Sequence, residues 1–164
     1  MDASRTVTPQ EANEIIESVP DKWDVRYLEL ARLVASWSKD PSTKTGAVLV
    51  RLDRTVASIG FNGFPKGMPD NSLLYDDRAE KYSRIVHCEM NALIHAREPV
   101  VGYTLYTWPF ASCDRCAVHM LQAGVSRFVF PPLSAGAKAR WSESLARAKA
   151  YVEESGRSWS EVDL

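Results

Sequence analysis

Apolar residues recur along the chain with two different periods, one typical of helices and one typical of strands. At residues 24–38 they recur mostly at three- and four-residue steps, which predicts an amphipathic helix. The buried stripe of this helix is predicted to contain Val25, Leu28, Leu33, Val34 and Trp37. An earlier helix is predicted at residues 8–19, where Thr8 offers a cap, Pro9 fits the first turn and acidic residues follow.

Two runs of strand-forming residues come next, at residues 46–52 and 56–61. They are separated by the turn-prone residues Asp53 and Arg54, so they predict an antiparallel hairpin. A loop rich in Gly and Pro then extends from residue 62 to about residue 76. A loop of this length in a small domain usually forms or covers a functional site.

Helices and strands alternate in the rest of the chain. The pattern predicts helices at about residues 86–97, 113–123 and 137–155, and strands at 104–107 and 125–130. Gly124 and Gly156 are natural ends for the second and third of these helices. The alternation favours one layered α/β domain with a mixed sheet over residues 1–164, with a helical extension at 1–20 and a C-terminal helix and tail at 138–164.

Composition and charge narrow the classes of partner. The 164 residues are 45% hydrophobic and 25% charged, which is ordinary for a globular domain. No apolar run approaches the roughly 18 residues of a membrane span, and residues 1–20 do not resemble a secretory signal, so we expect a cytoplasmic protein. The formal net charge is −1 and the basic residues are scattered, whereas long nucleic acid binds to a clustered basic face. We therefore expect a small-molecule substrate.

The candidate chemistry begins with the cysteines. Three cysteines without an export signal argue against a disulfide framework, and Cys113 and Cys116 form a Cys-x-x-Cys pair. Alone, this pair indicates either redox chemistry or half of a structural zinc site. His87, at the start of another predicted helix, adds a nitrogen ligand, and the three residues leave the fourth position of a tetrahedral zinc site for water. The i, i+3 spacing places both sulfurs on one side of a first helical turn, where thiolate is favoured.

Glu89 lies two residues after His87, so both side chains can reach a shared cavity from one helical turn. His-x-Glu followed by Cys-x-x-Cys is the signature of zinc deaminases, in which zinc acidifies a water and the Glu carries protons without binding the metal. A structural site would need a fourth protein ligand. Cys88 points about 100° away around the helix, and His95 and His119 lie within predicted helices. We therefore expect a catalytic zinc ion with Glu89 as general acid and base.

These motifs, with others, resemble the deoxycytidylate (dCMP) deaminase family of the cytidine deaminase superfamily. The resemblance covers residues 23–156 and rests on SKDPSTKTGAV at 38–48, GFNGFP at 60–65, KY at 81–82, HCEMNA at 87–92, LYT at 105–107, CDRCA at 113–117 and QAGV at 122–125. His-x-Glu with Cys-x-x-Cys marks the superfamily. The Gly-Phe-Asn-Gly-x-Pro loop points to the deoxycytidylate branch.

The resemblance implies a three-layer fold in which helices flank a five-stranded mixed sheet and the two zinc-bearing helices pack together on one face. It implies hydrolysis of dCMP to dUMP and ammonia, with Asn62 contacting the nucleotide. An Asn offers both a donor and an acceptor, although capping of a turn beside Gly63 is the alternative. The family also forms dimers or hexamers, and many members are regulated by dCTP and dTTP near the glycine-rich loop. Lys44 and Lys66 offer charge for a phosphate, but solvated surface lysines explain them more simply.

The sequence departs from the family in the loop before the zinc cysteines. The family has Pro directly before the first cysteine, whereas Phe110, Ala111 and Ser112 here separate Pro109 from Cys113. This short insertion falls in a loop expected to line the base pocket. We consider Trp108 and Phe110 as residues that stack on the base, with packing in the core as the alternative.

The altered loop leaves a 5-modified dCMP as an alternative substrate. A base in tRNA or in single-stranded nucleic acid is a second hypothesis, against which the near-neutral charge and the GFNGFP loop argue. A non-catalytic zinc protein is a further hypothesis, against which the presence of Glu89 argues. Cys88 stands where the family commonly has Ala, and we interpret it as a packing residue.

Overall fold

The computed structural model describes residues 21–164, so the predicted helix at residues 8–19 lies outside the described residues. The helices are α1 (Lys22–Ala35), α2 (Ser72–Asp76), α3 (Arg78–Arg84), α4 (Cys88–His95), α5 (Asp114–Gln122) and α6 (Ala135–Glu154). The strands are β1 (Gly46–Val50), β2 (Val56–Phe61), β3 (Thr104–Trp108), β4 (Arg127–Phe130) and β5 (Ser158–Glu161). Within residues 21–164, no helix combines the length and apolar composition that crossing a membrane requires.

The strands form one mixed sheet in the order β2-β1-β3-β4-β5. β1 pairs antiparallel with both β2 and β3, so that Val48 lies opposite Ile59 on one side and Tyr106 on the other. β3, β4 and β5 run parallel. The predicted hairpin and the five-stranded mixed sheet are therefore confirmed.

The fifth strand was implied by the family resemblance but was absent from the residue pattern. β5 has the sequence Ser-Trp-Ser-Glu, and it lies at the edge of the sheet. Its Trp159 packs against Phe128 and Phe130 of β4, with ring centroids 6.1 Å and 4.7 Å away. An edge strand that packs mainly through one large side chain leaves too weak an alternation to be recognised in sequence.

Helices cover the sheet on both faces, as the resemblance implies. On one face, α1 packs against Val48, Val50, Tyr106 and Val129. On the other face, a second cluster unites side chains of α4, α5 and α6 with the sheet, including Ala92, Met120 and Val152. The two predicted zinc-bearing helices, α4 and α5, thus lie on the same face.

The predicted stripe of α1 is wrong at two positions. Leu33 is 55% exposed and Trp37 is 48% exposed. The buried residues of this helix are Asp24, Tyr27, Leu28, Ala31, Val34 and Ala35. The prediction failed because this face includes small residues and one acid, which suit close contact with the sheet: a Cβ added at Gly46 would lie 2.2 Å from the Ala31 carbonyl oxygen.

The predicted loop at residues 62–76 is also shorter than expected, because two short helices follow its first half. Asn71 caps α2 by accepting a hydrogen bond from the Leu74 N–H, and Asp77 caps α3 by accepting from Ala79 and Glu80. Each helix buries one residue, so neither produces an apolar period along the sequence. α3 ends at Arg84, shortly before His87 and the start of α4.

A close approach between β2 and α4 fixes the position of that helix. A Cβ added at Gly60 would lie 2.3 Å from both the backbone nitrogen of Ala92 and the carbonyl oxygen of Cys88. Only glycine permits this distance between the strand and the helix backbone. The contact seats the first turn of α4, which carries the predicted His-x-Glu residues, directly on the sheet.

Candidate metal centre and active site

His87, Cys113 and Cys116 come together at the N-terminal ends of two helices. His87 immediately precedes α4, Cys113 immediately precedes α5, and Cys116 lies in the first turn of α5. The Nδ1 atom of His87 lies 3.5 Å from Cys113 Sγ and 3.3 Å from Cys116 Sγ. A tetrahedral zinc ion with ordinary bond lengths to sulfur and nitrogen would separate these atoms by about 3.5 Å. The predicted donor set therefore fits zinc.

The cluster stabilises a thiolate at Cys113. The pKa of the Cys113 thiol is lowered to about 4, because its sulfur accepts hydrogen bonds from the Cys116 thiol and from His87. The backbone N–H of Cys116 also donates to this sulfur, over 3.4 Å. The hydrogen bond to Cys113 raises the pKa of His87 to about 9. A thiolate is thus stabilised at the start of α5, as the helix-terminus argument predicts.

Among residues 21–164 the cluster contains only these three candidate ligands. His95 and His119 are both exposed, and each bonds through Nδ1 to a backbone carbonyl one turn earlier, Asn91 and Arg115 respectively. Cys88 is 2% exposed and packs in the hydrophobic cluster beneath α4. Three protein ligands leave a fourth position open, which is the arrangement of catalytic zinc sites.

Glu89 lies beside this cluster in the first turn of α4 and is 5% exposed. Its Oε2 accepts a hydrogen bond from the Cys88 thiol over 3.2 Å. Glu89, His87 and Cys113 line the same cavity. The remaining walls come from the loop at residues 40–45, from Asn62, from the end of α3, from residues 110–111 and from α6. A buried carboxylate therefore shares one cavity with the metal-binding residues.

Asn62 lines the cavity, and its side chain also supports the cavity wall. Its Oδ1 accepts the Thr45 N–H over 2.7 Å. Its Nδ2 donates to the Thr43 carbonyl over 2.8 Å and to Asp40 over 3.2 Å. Both amide hydrogens are therefore used within the protein, and the amide oxygen retains one acceptor site for another partner.

Asp40 and Lys81 were not recognised as site residues from the sequence. Both line the cavity, and the Lys81 ammonium lies 2.7 Å from the Asp40 carboxylate. Burial would raise the pKa of the Asp40 carboxyl, but hydrogen bonds from Lys81, Ser42 and Thr43 hold it below its ordinary value of 3.8. Asp40 and Lys81 both belong to segments that carry the family resemblance, but a single charge in a sequence does not reveal its partner.

The structure separates the two aromatic residues proposed to stack on a base. Phe110 lines the cavity, and its ring centroid lies 6.4 Å from that of Trp141 in α6. Trp108 lies outside the cavity and packs with the α1 cluster, where the Arg32 guanidinium lies 5.6 Å from its ring. This location favours the alternative for Trp108, packing in the core, over stacking on the base. Side chains alternate along β3, so Trp108 shares the α1 face with Tyr106.

The inserted residues connect the metal centre to α6. Ala111 is 2% exposed and packs with Phe130 and with Leu145 of α6. Ser112 is also buried, and its hydroxyl has no hydrogen-bond partner among the described residues. Because Ala111 holds the loop against α6, that helix forms one wall of the cavity. No residue of α6 was predicted from the sequence to belong to the site.

The layered fold and this cavity together define a class of enzyme: zinc-dependent hydrolases that remove an amino group. Residues 21–131 match the family model described as the cytidine and deoxycytidylate deaminase zinc-binding region. The chain therefore belongs to the cytidine and deoxycytidylate deaminase family, whose members are zinc-dependent hydrolytic deaminases. The matched region contains His87, Cys113 and Cys116, and zinc is the cofactor.

Individual proteins agree with this assignment. An uncharacterized deaminase from the luxG 3′ region of Aliivibrio fischeri is 35% identical over 145 residues, which cover 87% of this chain and 97% of that protein. The deoxycytidylate deaminase of Mus musculus is 34% identical over 115 residues. The match spans 66% of this chain and just under two thirds, 64%, of the mouse protein. The apo structure of a dCMP deaminase from the cyanophage S-TIM5 shares the fold, with a TM-score of 0.66, 20% identity and coverage of 85% of this chain and 96% of that one.

Proposed function

We propose that this enzyme hydrolyses dCMP to dUMP and ammonia. The observation that carries the proposal is the buried carboxylate of Glu89, which shares a cavity with a three-ligand metal centre. The name of the mouse relative supports a deoxycytidylate substrate. In the reaction, the bond from C4 of the pyrimidine to its amino nitrogen breaks and a bond from C4 to a water oxygen forms, without oxidation or reduction.

His87, Cys113 and Cys116 would hold the zinc ion, which would lower the pKa of a water enough for it to lose a proton and become a nucleophile near neutral pH. Glu89 takes the proton of the attacking water. The same carboxyl group passes that proton to ring nitrogen N3. It then takes the second proton of the water from the new C4 hydroxyl and passes it to the amino nitrogen, which leaves as ammonia. Its burial keeps the carboxylate away from bulk water, so the proton stays in the cavity during the transfer.

The other walls of the cavity suit a pyrimidine nucleotide. Phe110, Ala111, Trp141 and Leu145 provide an apolar wall against which a flat base can lie. In this proposal, the amide oxygen of Asn62 uses its free acceptor site to accept a hydrogen bond from the substrate. The proposal therefore assigns substrate binding to Asn62 and Phe110 and not to Trp108.

A panel of free nucleotides tests the proposal. We expect the zinc-loaded protein to release ammonia from dCMP, and to release far less from deoxycytidine, dAMP and dGMP. Parallel reactions with 5-methyl-dCMP measure whether the inserted loop admits a 5-substituent. Absence of ammonia from every free nucleotide would contradict the proposal and would favour a base within tRNA or single-stranded DNA, for which binding should weaken steeply as salt rises.

We also propose that the enzyme supplies dUMP in the cytoplasm and works as a homo-oligomer, either a dimer or a hexamer. The three free cysteines support a reducing compartment. Exposed Trp37 and Phe61, whose ring centroids lie 6.2 Å apart, support an interface between copies. Sedimentation of the zinc-loaded protein tests the assembly; a monomer at all concentrations would contradict it.

Regulation by dCTP and dTTP is a separate proposal, based on the family and on the loop at residues 62–71. Initial rates with dCMP should rise with dCTP and fall with dTTP. Rates that are independent of both nucleotides would show that this enzyme is unregulated by them.

A further inference from the structure

The positively charged side chains that line the cavity differ in whether an acidic group neutralises them. Lys81, His87 and Arg140 all line it. The ammonium of Lys81 is neutralised by Asp40, and His87 belongs to the metal cluster. Arg140 contacts two groups without negative charge: its Nη2 donates to the Tyr82 hydroxyl over 2.9 Å, and its guanidinium lies 5.2 Å from the Trp141 ring. Among residues 21–164, no carboxylate forms an ion pair with Arg140, so its charge is available to a ligand.

Tyr82 and Arg140 form an exposed part of the cavity wall, whereas Glu89 is buried. Glu89 is 5% exposed, whereas Tyr82 is 43% exposed and Arg140 is exposed as well. A nucleotide has the same polarity, since its reacting base must be shielded and its phosphate is dianionic and hydrated. With the base next to Glu89, the phosphate would point toward the exposed, cationic part of the cavity wall.

The two residues of that part of the wall have the chemistry that a phosphate requires. A guanidinium presents several N–H donors in a planar fork that matches phosphate oxygens. The Tyr82 hydroxyl accepts from Arg140 and keeps its own hydrogen to donate. Lys44 and Lys66, the candidates considered from the sequence, are both exposed and lie outside the cavity wall.

We propose that Arg140, together with the Tyr82 hydroxyl, binds the 5′-phosphate and so sets the selectivity for a nucleotide over a nucleoside. This inference rests on the proposed function. Arg140 lies outside residues 21–131, the region that defines the family match. Selectivity for the phosphate is thus placed on α6, which the inserted loop holds against the cavity through Ala111 and Leu145.

The test compares kcat/KM for dCMP with kcat/KM for deoxycytidine in the zinc-loaded enzyme. In Arg140→Met we expect the ratio of these two constants to fall about 10- to 100-fold, mainly through a higher KM for dCMP, because a charge-assisted contact is lost. Arg140→Lys should recover part of the ratio, and Tyr82→Phe should lower it less than Arg140→Met does. Inorganic phosphate should inhibit dCMP deamination more weakly in Arg140→Met than in the parent.

Lys138→Met is the matched control. Lys138 is an exposed cation of the same helix, and it faces a groove with Phe130 and Trp159 away from the metal centre. This variant should keep the parental ratio. A parental ratio in both Arg140→Met and Tyr82→Phe, in an enzyme that prefers dCMP, overturns the inference and leaves the proposed function intact. Failure of the parent to deaminate either compound instead overturns the proposed function.

Discussion

Lys81 and Asp40 form an ion pair within the wall of the cavity. The ammonium nitrogen lies 2.7 Å from the carboxylate, and the side chains are 10% and 1% exposed. Asp40 also accepts hydrogen bonds from the Asn62 amide and from the Thr43 N–H. The pair therefore holds the loop at residues 40–45 and Asn62 in position. Because Asp40 already neutralises the ammonium of Lys81, this lysine is not a candidate for binding a negatively charged group of the substrate.

Removal of the lysine charge should expose this positioning role. Lys81→Met leaves Asp40 buried without its counter-ion, which typically costs about 3–5 kcal/mol. We expect a lower melting temperature and a higher KM for dCMP, with a smaller change in kcat. The double variant Asp40→Asn/Lys81→Met should be more stable than Lys81→Met, because no unpaired charge is left buried.

Lys39→Met is the control for that measurement. Lys39 and Asp70 are also 2.7 Å apart, but their side chains are 69% and 32% exposed. Loss of such a surface pair costs less than about 1 kcal/mol. Equal melting temperatures for Lys81→Met and Lys39→Met would show that burial of the Asp40 pair has no energetic consequence.

The carboxyl group of Glu89 is expected to carry the protons. Glu89→Gln keeps the size of the side chain but cannot accept and return a proton, so kcat should fall at least about 10²-fold while bound zinc is unchanged. Ammonia release and metal analysis measure the two effects separately. Glu98→Gln, at an exposed glutamate beyond the end of α4, should match the parent in both. Turnover at the parental rate in Glu89→Gln would disprove the assigned mechanism.

Zinc retention tests the metal ligands independently of turnover. His87→Ala removes one of three protein ligands, so we expect loss of both zinc and activity, and a lower melting temperature. His95→Ala is the control because His95 ends the same helix, is exposed and lies outside the cluster. About one zinc per chain should remain in that variant. Full zinc occupancy in His87→Ala would mean that the metal is held elsewhere.

The parts of this site that could be predicted from sequence are those set by local geometry. His87, Glu89, Cys113 and Cys116 lie in first helical turns, where spacing along the chain determines which side chains converge. The Asp40–Lys81 pair spans 41 residues of sequence, so nothing local signals it. The position of Arg140 likewise depends on how α6 packs.

The placement of Trp108 depends on a property that the residue pattern does not supply. The strand predicted at 104–107 stops one residue short of Trp108, which ends β3, and the face of the sheet that each side chain occupies was not assigned. Strand alternation makes Trp108 and Tyr106 share a face of the sheet. Because Tyr106 is buried beneath α1, Trp108 also lies on the α1 face. Which face lies under α1 is a property of the whole fold.

The contact between β2 and α4 provides the last test. Gly60→Ala would place a methyl group 2.3 Å from backbone atoms of α4, which cannot rotate away as a side chain can. The helix must shift outward, at a typical cost of about 1–3 kcal/mol. Because α4 carries Glu89 and begins beside His87, we also expect kcat to fall, by up to about 10²-fold for a displacement of 1 Å.

Gly63→Ala separates this effect from a general effect of the substitution. Gly63 lies in the same segment, and a Cβ added there meets nothing within 4 Å. Alanine at that site also restricts the unfolded chain, so its stability should equal or slightly exceed that of the parent. Thermal melts and dCMP kinetics on both variants distinguish the two glycines. If Gly60→Ala retained parental stability and kcat, the seat of α4 on the sheet would tolerate displacement, and the position of Glu89 would depend on contacts other than the one at Gly60.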